Sequence, residues 1–249
     1  MSFYKTIAGF YDEIFPLKDT KLSFITSLLN KERLAILDIG CAGGDLALAL
    51  SKKGHRVTAL DRSREMVDLA REKAKNNGSK VEFLEKDMEN VGTDFSPSSF
   101  DAVLCFGNTL VHLENPGKME EFFKGVLKIL KDEGIFLLQI VNYDHVLAEG
   151  LDKLPTIERE NFIFRRNYFY DADAHRIRFR VGFSIKDRGV TEESVESLYP
   201  LTFAELNTAL TGAGFSDLQF FGSEDRTPFR KESPALIAAG SKRKVKNEK

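Results

Sequence analysis

Two acids and a cluster of glycines carry the chemistry this chain can do. Asp38 sits in an apolar run at 34–39 and is followed by Gly40, Cys41, Ala42, Gly43 and Gly44. Glycine has no Cβ, so it lets the backbone turn tightly and lets a ligand approach closely. The apolar stretch at 46–50 reads as a helix, whose first N–H groups and positive dipole end suit an anionic group. A second apolar run at 56–60 ends in Asp61, placed to accept hydrogen bonds from both hydroxyls of a ribose. Strand, glycine turn, helix, strand and acid together read as a site for a nucleoside cofactor.

Glycine spacing selects among nucleosides. A dinucleotide site needs G-x-G-x-x-G, and Ala42 occupies the middle position where pyrophosphate would rest on the backbone. No G-x-x-x-x-G-K-[ST] loop is present either. The segment resembles motif I of the class I S-adenosylmethionine-dependent methyltransferases, D/E-x-G-x-G-x-G, matched at Asp38, Gly40 and Gly44 and departing at Ala42. Asp61-Arg62-Ser63-Arg64-Glu65-Met66 is similar to the family's second motif, a ribose-binding acid leading into a helix whose Met66 flanks the adenine. A strand at 81–86 leads to Asp87 and Met88, where the family holds the adenine amino group. Phe100-Asp101-Ala102-Val103 matches its F-D-x-V, and 134–140 supplies a fifth strand. The resemblance implies S-adenosyl-L-methionine as cofactor, bound by Tyr11, Asp38, Gly40, Cys41, Ala42, Gly43, Gly44, Asp61, Arg62, Met66, Asp87, Met88, Phe106 and Gly107.

Two further segments, 105–113 and 142–147, are similar to glycine and glycine/sarcosine N-methyltransferases. That likeness implies that Asn108 and His112 lie at the carboxyl end of the fourth strand, over the transferring methyl, with Tyr143, Tyr168 and Tyr170 as further acceptor-site candidates. His112 also reads as a helix-start residue satisfied by backbone. The carboxylate-binding arginine that precedes Asn-Tyr-Asp in that branch is Val141 here, and valine offers no bidentate fork. The expected acceptor is therefore a small molecule other than glycine, methylated on N or O. Arg165, Arg166, Arg178 or Arg180 is expected to supply a replacement charge, or Phe162, Phe164, Tyr168 and Tyr170 to line an apolar pocket. Transfer from a sulfonium asks chiefly for positioning and exclusion of water, effects of roughly 7–11 kcal/mol, so no catalytic base is assigned. A methyltransferase acting on a macromolecule and a non-catalytic cofactor-binding protein stand as alternatives.

The elements that must position these residues read as an α/β chain. The expectation is a Rossmann-like seven-stranded sheet, parallel with an antiparallel last strand, plus an inserted antiparallel β lid. Residues 1–30 form an N-terminal helical cap, 31–144 and 200–249 the core, and 145–199 the lid. Within the cap, Tyr4 or Tyr11 either folds over the methionine end of the cofactor or simply packs on the sheet. In the lid, Ile177, Phe179, Val181, Phe183 and Ile185 alternate with polar residues, which suits a half-buried strand and not a parallel core. Flanking strands are expected at 157–170 and 194–199. An amphipathic helix covers 116–131, Thr202 and Glu205 form a capping box, and Gly212 or Gly214 ends the helix that follows. Strands at 216–221 and 234–241 close the sheet.

With 249 residues, 42% of them hydrophobic, the chain can bury a substantial core. Its net charge of −2 weighs against nucleic acid as a partner, and the basic tail at 242–246 reads as a solvated end. No apolar stretch approaches a membrane span and no leader is evident, so a cytoplasmic protein without membrane partners is expected. Cys41 and Cys105 read as reduced, and no Cys/His cluster implies a metal. The expected partner is a small-molecule acceptor, and a homodimer is compatible with such a chain.

Overall fold

The structure is a computed structural model that describes residues 6–186 and 189–244. Tyr4 and the tail residues Val245 and Lys246 lie outside the described residues. The core elements in chain order are α1 (Asp19–Leu29), β1 (Ala35–Ile39), α2 (Asp45–Lys52), β2 (Arg56–Asp61), α3 (Arg64–Asn76), β3 (Glu82–Glu85), β4 (Phe100–Cys105), α4 (Pro116–Ile129) and β5 (Leu130–Val141). Then come α5 (Tyr143–Ala148), four strands β6 (Lys153–Glu158), β7 (Phe162–Asp171), β8 (Arg176–Ile185) and β9 (Val190–Leu198), and finally α6 (Phe203–Ala213), β10 (Phe215–Phe221) and β11 (Ala235–Lys242).

Seven strands form one sheet in the order β10-β11-β5-β4-β1-β2-β3. β1 pairs in parallel with β2 and β4, and β11 is antiparallel to both β5 and β10. The expected Rossmann-like sheet is present, with its last strand reversed. Burial on both faces explains the continuous apolar runs: all five residues of β1 are buried, Asp38 among them. Alternation sends Leu37, Ile39, Val103 and Cys105 to one face, against Phe122, Phe123 and Val126 of α4. Ile36, Ala59 and Leu104 go to the other, against Phe24, Ala47 and Val67 of α1, α2 and α3.

The second sheet is antiparallel and has four strands, β6-β7-β8-β9, where three were expected. β6 contains Pro155 and is an edge strand, where proline is tolerated but its sequence signal is weak. β9 opposes the apolar face of β8 with Glu192, Ser194 and Glu196, so its alternation does not show as hydrophobicity. α5 runs across the boundary expected at 144/145. Thr202 and Glu205 make both halves of the capping box, and Gly214 ends α6 at φ +106°. Among the described residues no helix is long and apolar enough to cross a membrane.

Candidate active site

β1 lies between β2 and β4, the point where chain order reverses across the sheet, and open α/β sheets bind ligands outside the carboxyl ends of their strands at this point. Two clefts meet there at Gly40. One, of about 590 Å³, is lined by Leu60, Asp61, Arg62, Lys86, Asp87, Met88, Glu89, Thr109, His112 and Leu113. The other, of about 770 Å³, is lined by Tyr11, Phe15, Leu17, Lys21, Asp38, Cys41, Ala42, Gly43, Gly44, Phe106 and Gly107 among others. Gly40 makes the join with φ +71°, donates its N–H to the Leu60 carbonyl at 2.8 Å, and leaves no space for a Cβ beside Thr109. Ala42, at the place of the middle glycine, keeps the left-handed turn at φ +46°.

Asp61 is aimed by its neighbours. Its Oδ2 accepts from the Ala42 N–H and its Oδ1 from the Ser63 N–H, both at 2.9 Å. Each oxygen keeps a further lone pair for a hydroxyl. Burial pushes its pKa up, and the two backbone bonds work against the shift. Asp38 is more enclosed, only 3% exposed, and its Oδ2 has no hydrogen-bond partner among the described residues. Burial raises its pKa to about 7, opposed by Lys21 and reinforced by Asp61. Cys41 and Cys105 are buried and free, and desolvation with the Asp38 charge holds both thiols neutral. His112 faces the first cleft with its pKa lowered by burial and by Arg62, against the opposing charge of Glu196. The crevice can thus receive a cation beside Asp38 and vicinal hydroxyls at Asp61.

Several expected positions fall elsewhere. Met66 lines neither cleft; it is buried with Ile7, Ile14, Phe162 and Phe183, where the N-terminal segment and the second sheet meet α3. Tyr143 is fully buried, and its hydroxyl accepts from the Asn108 amide at 2.9 Å. The Asn108 carbonyl in turn accepts from the Val141 N–H at 2.9 Å, so this side chain ties the ends of β4 and β5 together. Tyr168 packs on Tyr143 and Phe179 with centroids 6.5 and 5.3 Å away. Tyr170 is 46% exposed and hydrogen-bonds His175, away from both clefts. Arg165, Arg178 and Arg180 occupy the outer face of the second sheet, and Arg166 alone of the four shares the face of Phe164 and Tyr168.

Among the described residues none of β6–β9 lines either cleft, but the inner face reaches their rim. Glu196 of β9 pairs with Arg62 at 3.1 Å, and the Tyr199 N–H donates to the Val111 carbonyl at 2.8 Å. The N-terminal turns Ala8–Phe10 and Tyr11–Ile14 are wedged beneath it, with Phe10 against Phe162 and Phe15 against Phe164. Lys73 of α3 holds them in place, reaching Asp12 and the first turn of α2 at Asp45. Sequence reasoning missed Phe15, Lys21 and Thr109 as lining residues. Only the preceding left-handed Asn108 at φ +69° marks Thr109, and nothing local marks the others.

A parallel sheet with acids at the ends of β1 and β2 and a glycine turn between them defines a nucleoside-cofactor α/β fold. Residues 36–134 match the family model described as a methyltransferase domain. The chain is 34% identical over 140 residues to "Putative methyltransferase YqeM" of Bacillus subtilis, covering 55% of each chain. It is 27% identical to "Putative methyltransferase GWCH70_2453" of Geobacillus sp., over 87% of this chain and 90% of that one. A third relative, a ubiquinone biosynthesis O-methyltransferase of Rickettsia conorii, is 32% identical over 44% of this chain and 36% of its own length. The chain thus spans about half the length, or less, of the first and third of these relatives. In fold it is similar to an S-adenosylmethionine-dependent methyltransferase structure from Clostridium acetobutylicum, with TM-score 0.81 and 17% identity over 97% of this chain and 99% of that one. Residues 36–134 thus match a methyltransferase domain, and the chain has the fold of an S-adenosylmethionine-dependent methyltransferase.

Proposed function

We propose that this chain transfers a methyl group from S-adenosylmethionine to an N or O nucleophile of a small molecule other than glycine. The observation that carries the reading is the unpartnered, buried Oδ2 of Asp38 in a crevice continuous with Asp61. A cofactor with an ammonium at one end and a ribose at the other satisfies both acids. Asp87 and Met88, which line the far end of the first cleft, then hold the adenine. When bound, the cofactor supplies a methyl on a cationic sulfur, already activated for in-line displacement.

The chain supplies positioning and dryness, which for such a displacement are worth roughly 7–11 kcal/mol. Gly40 and Gly107 keep the backbone open beside the reacting centre, and the N-terminal turns and the sheet β6–β9 act as its cover. The thiols of Cys41 and Cys105, held neutral by burial, place no competing thiolate there. Glycine is not proposed, although 105–113 and 142–147 resemble glycine/sarcosine N-methyltransferases, because Val141 presents an apolar side chain where that branch has an arginine. The test is incubation with methyl-labelled cofactor and a panel of small amines, acids and hydroxy compounds, with Val141→Arg as companion. Labelling of a panel member by the unmodified protein and a gain of glycine activity in the variant are expected. Efficient glycine methylation by the unmodified protein overturns the argument from Val141, and no labelling in the presence of bound cofactor overturns the small-molecule reading.

A further inference from the structure

We propose that the acceptor carries an anionic group, a carboxylate or a phosphate, and that the guanidinium of Arg166 binds it; this rests on the reading of the crevice as a methyl-transfer site. Arg166 is the one arginine or lysine on the inner face of the four described strands β6–β9. The row crossing the sheet at Arg166 consists of Leu154, Val181 and Ser194, so no acid stands beside it on either neighbouring strand. None of the ion pairs among the described residues involves it. One amino group donates to the Pro155 carbonyl at 2.9 Å, while Nε is buried with no acceptor. An arginine has five N–H donors, and leaving a partly buried one without a counter-ion is costly. Burial accordingly lowers its pKa, and no carboxylate opposes that shift.

Its surroundings say what the missing partner is. The guanidinium stands beside an edge-to-face pair, 6.0 and 5.7 Å from the centroids of Phe15 and Phe164, which are themselves 5.5 Å apart. Phe15 lines the same cleft as Asp38 and Gly107, and Tyr168, two residues along the inner face, packs on the Tyr143 that holds Asn108. Arg166 lines neither cleft itself but adjoins the cofactor cleft through Phe15, and Tyr168 on the same face leads through Tyr143 to Asn108. A planar fork held beside aromatic rings recognises a planar or tetrahedral oxyanion in two-point fashion, which a lysine does not do. The charge that Val141 fails to provide on the core side is offered from the cover.

Direct binding tests this without turnover. Affinities of benzoate, phenyl phosphate and the neutral benzamide are measured by ligand-observed NMR, with and without S-adenosylhomocysteine. At least one of the two anions is expected to bind tenfold or more tighter than benzamide, and which one does so separates carboxylate from phosphate. Arg166→Met is expected to abolish the preference and Arg166→Lys to reduce it severalfold, while Arg178→Met on the outer face leaves it unchanged. Equal binding of all three probes by the unmodified protein, or a preference that survives Arg166→Met, overturns the proposal. If Arg166→Met does not fold, an undiminished preference in Arg166→Lys overturns it instead. A preference that holds while S-adenosylhomocysteine fails to bind supports the anion site and sinks the methyltransferase reading.

Discussion

Asp38, buried, and Asp61, half-buried, are two carboxyls with opposite provision. Asp61 receives two backbone N–H bonds, whereas Asp38 Oδ2 receives none. Replacing Asp61 with Ala is expected to weaken S-adenosylhomocysteine binding by about 1.5–3 kcal/mol, the scale of hydrogen bonds to a charged group, as read by calorimetry. Unchanged affinity would mean that no ribose hydroxyl lies there. Asp38 makes a pH prediction, with Lys21 and Asp61 the charged groups that face it. With a pKa of about 7, its carboxyl keeps a proton at lower pH, and a bound ammonium favours the ionised form. Binding then releases a proton, so affinity rises with pH up to about 7, by at most about tenfold per unit, and levels off above. Titration from pH 5.5 to 8 checks the slope, and Asp38→Asn should bind more weakly and flatten it.

At the scale of elements, the helices need one exceptional contact to bring the Asp87–Met88 side of the first cleft into place. The helical turn Val91–Asp94 follows Met88 and crosses α4 where Gly92 meets Gly125 backbone to backbone. A Cβ on Gly92 would sit 2.8 Å from the Gly125 Cα, and only backbone movement can relieve that. Gly92→Ala should destabilise the protein by about 1–3 kcal/mol, seen as a lower urea midpoint at constant slope. A midpoint equal to that of the unmodified protein would show that the two helices separate freely. The element that sequence reasoning handled least well, β6, lacks such a signature: proline and lysine at a sheet edge resemble loop composition.

For the molecule as a whole, the clefts are lined by the parallel core and the N-terminal turns, and the second sheet adjoins both parts. Lys73 with Asp12 and Asp45 joins the first two, and Arg62 with Glu196 joins the core to the sheet. A ligand held in the clefts stabilises together the parts that line them. At one hundred times its Kd, S-adenosylhomocysteine should add about 2.7 kcal/mol, which for a chain of this size raises Tm by roughly 5–10 °C. A nicotinamide dinucleotide at the same concentration should leave Tm unchanged. A larger shift with the dinucleotide would overturn the assignment drawn from Gly40 to Gly44.

What depends on neighbours along the chain could be read from the residues alone. The strand–glycine turn–helix unit at Asp38 to Gly44, the acid at Asp61, the order of the core strands and the capping box at Thr202 all follow from local patterns of burial, turn geometry and capping. Tertiary structure decided what depends on which face meets which. It put Met66 in the seam with the second sheet, outside the lining of both clefts, and it set Tyr143 and Asn108 to bonding one another. It also turned Arg166 inward and its three fellow arginines outward. A strand's two faces are alike in the sequence until the packing partner is known, and a one-residue difference in position reverses them. That is why the cofactor loop was legible in the chain and the acceptor side was not.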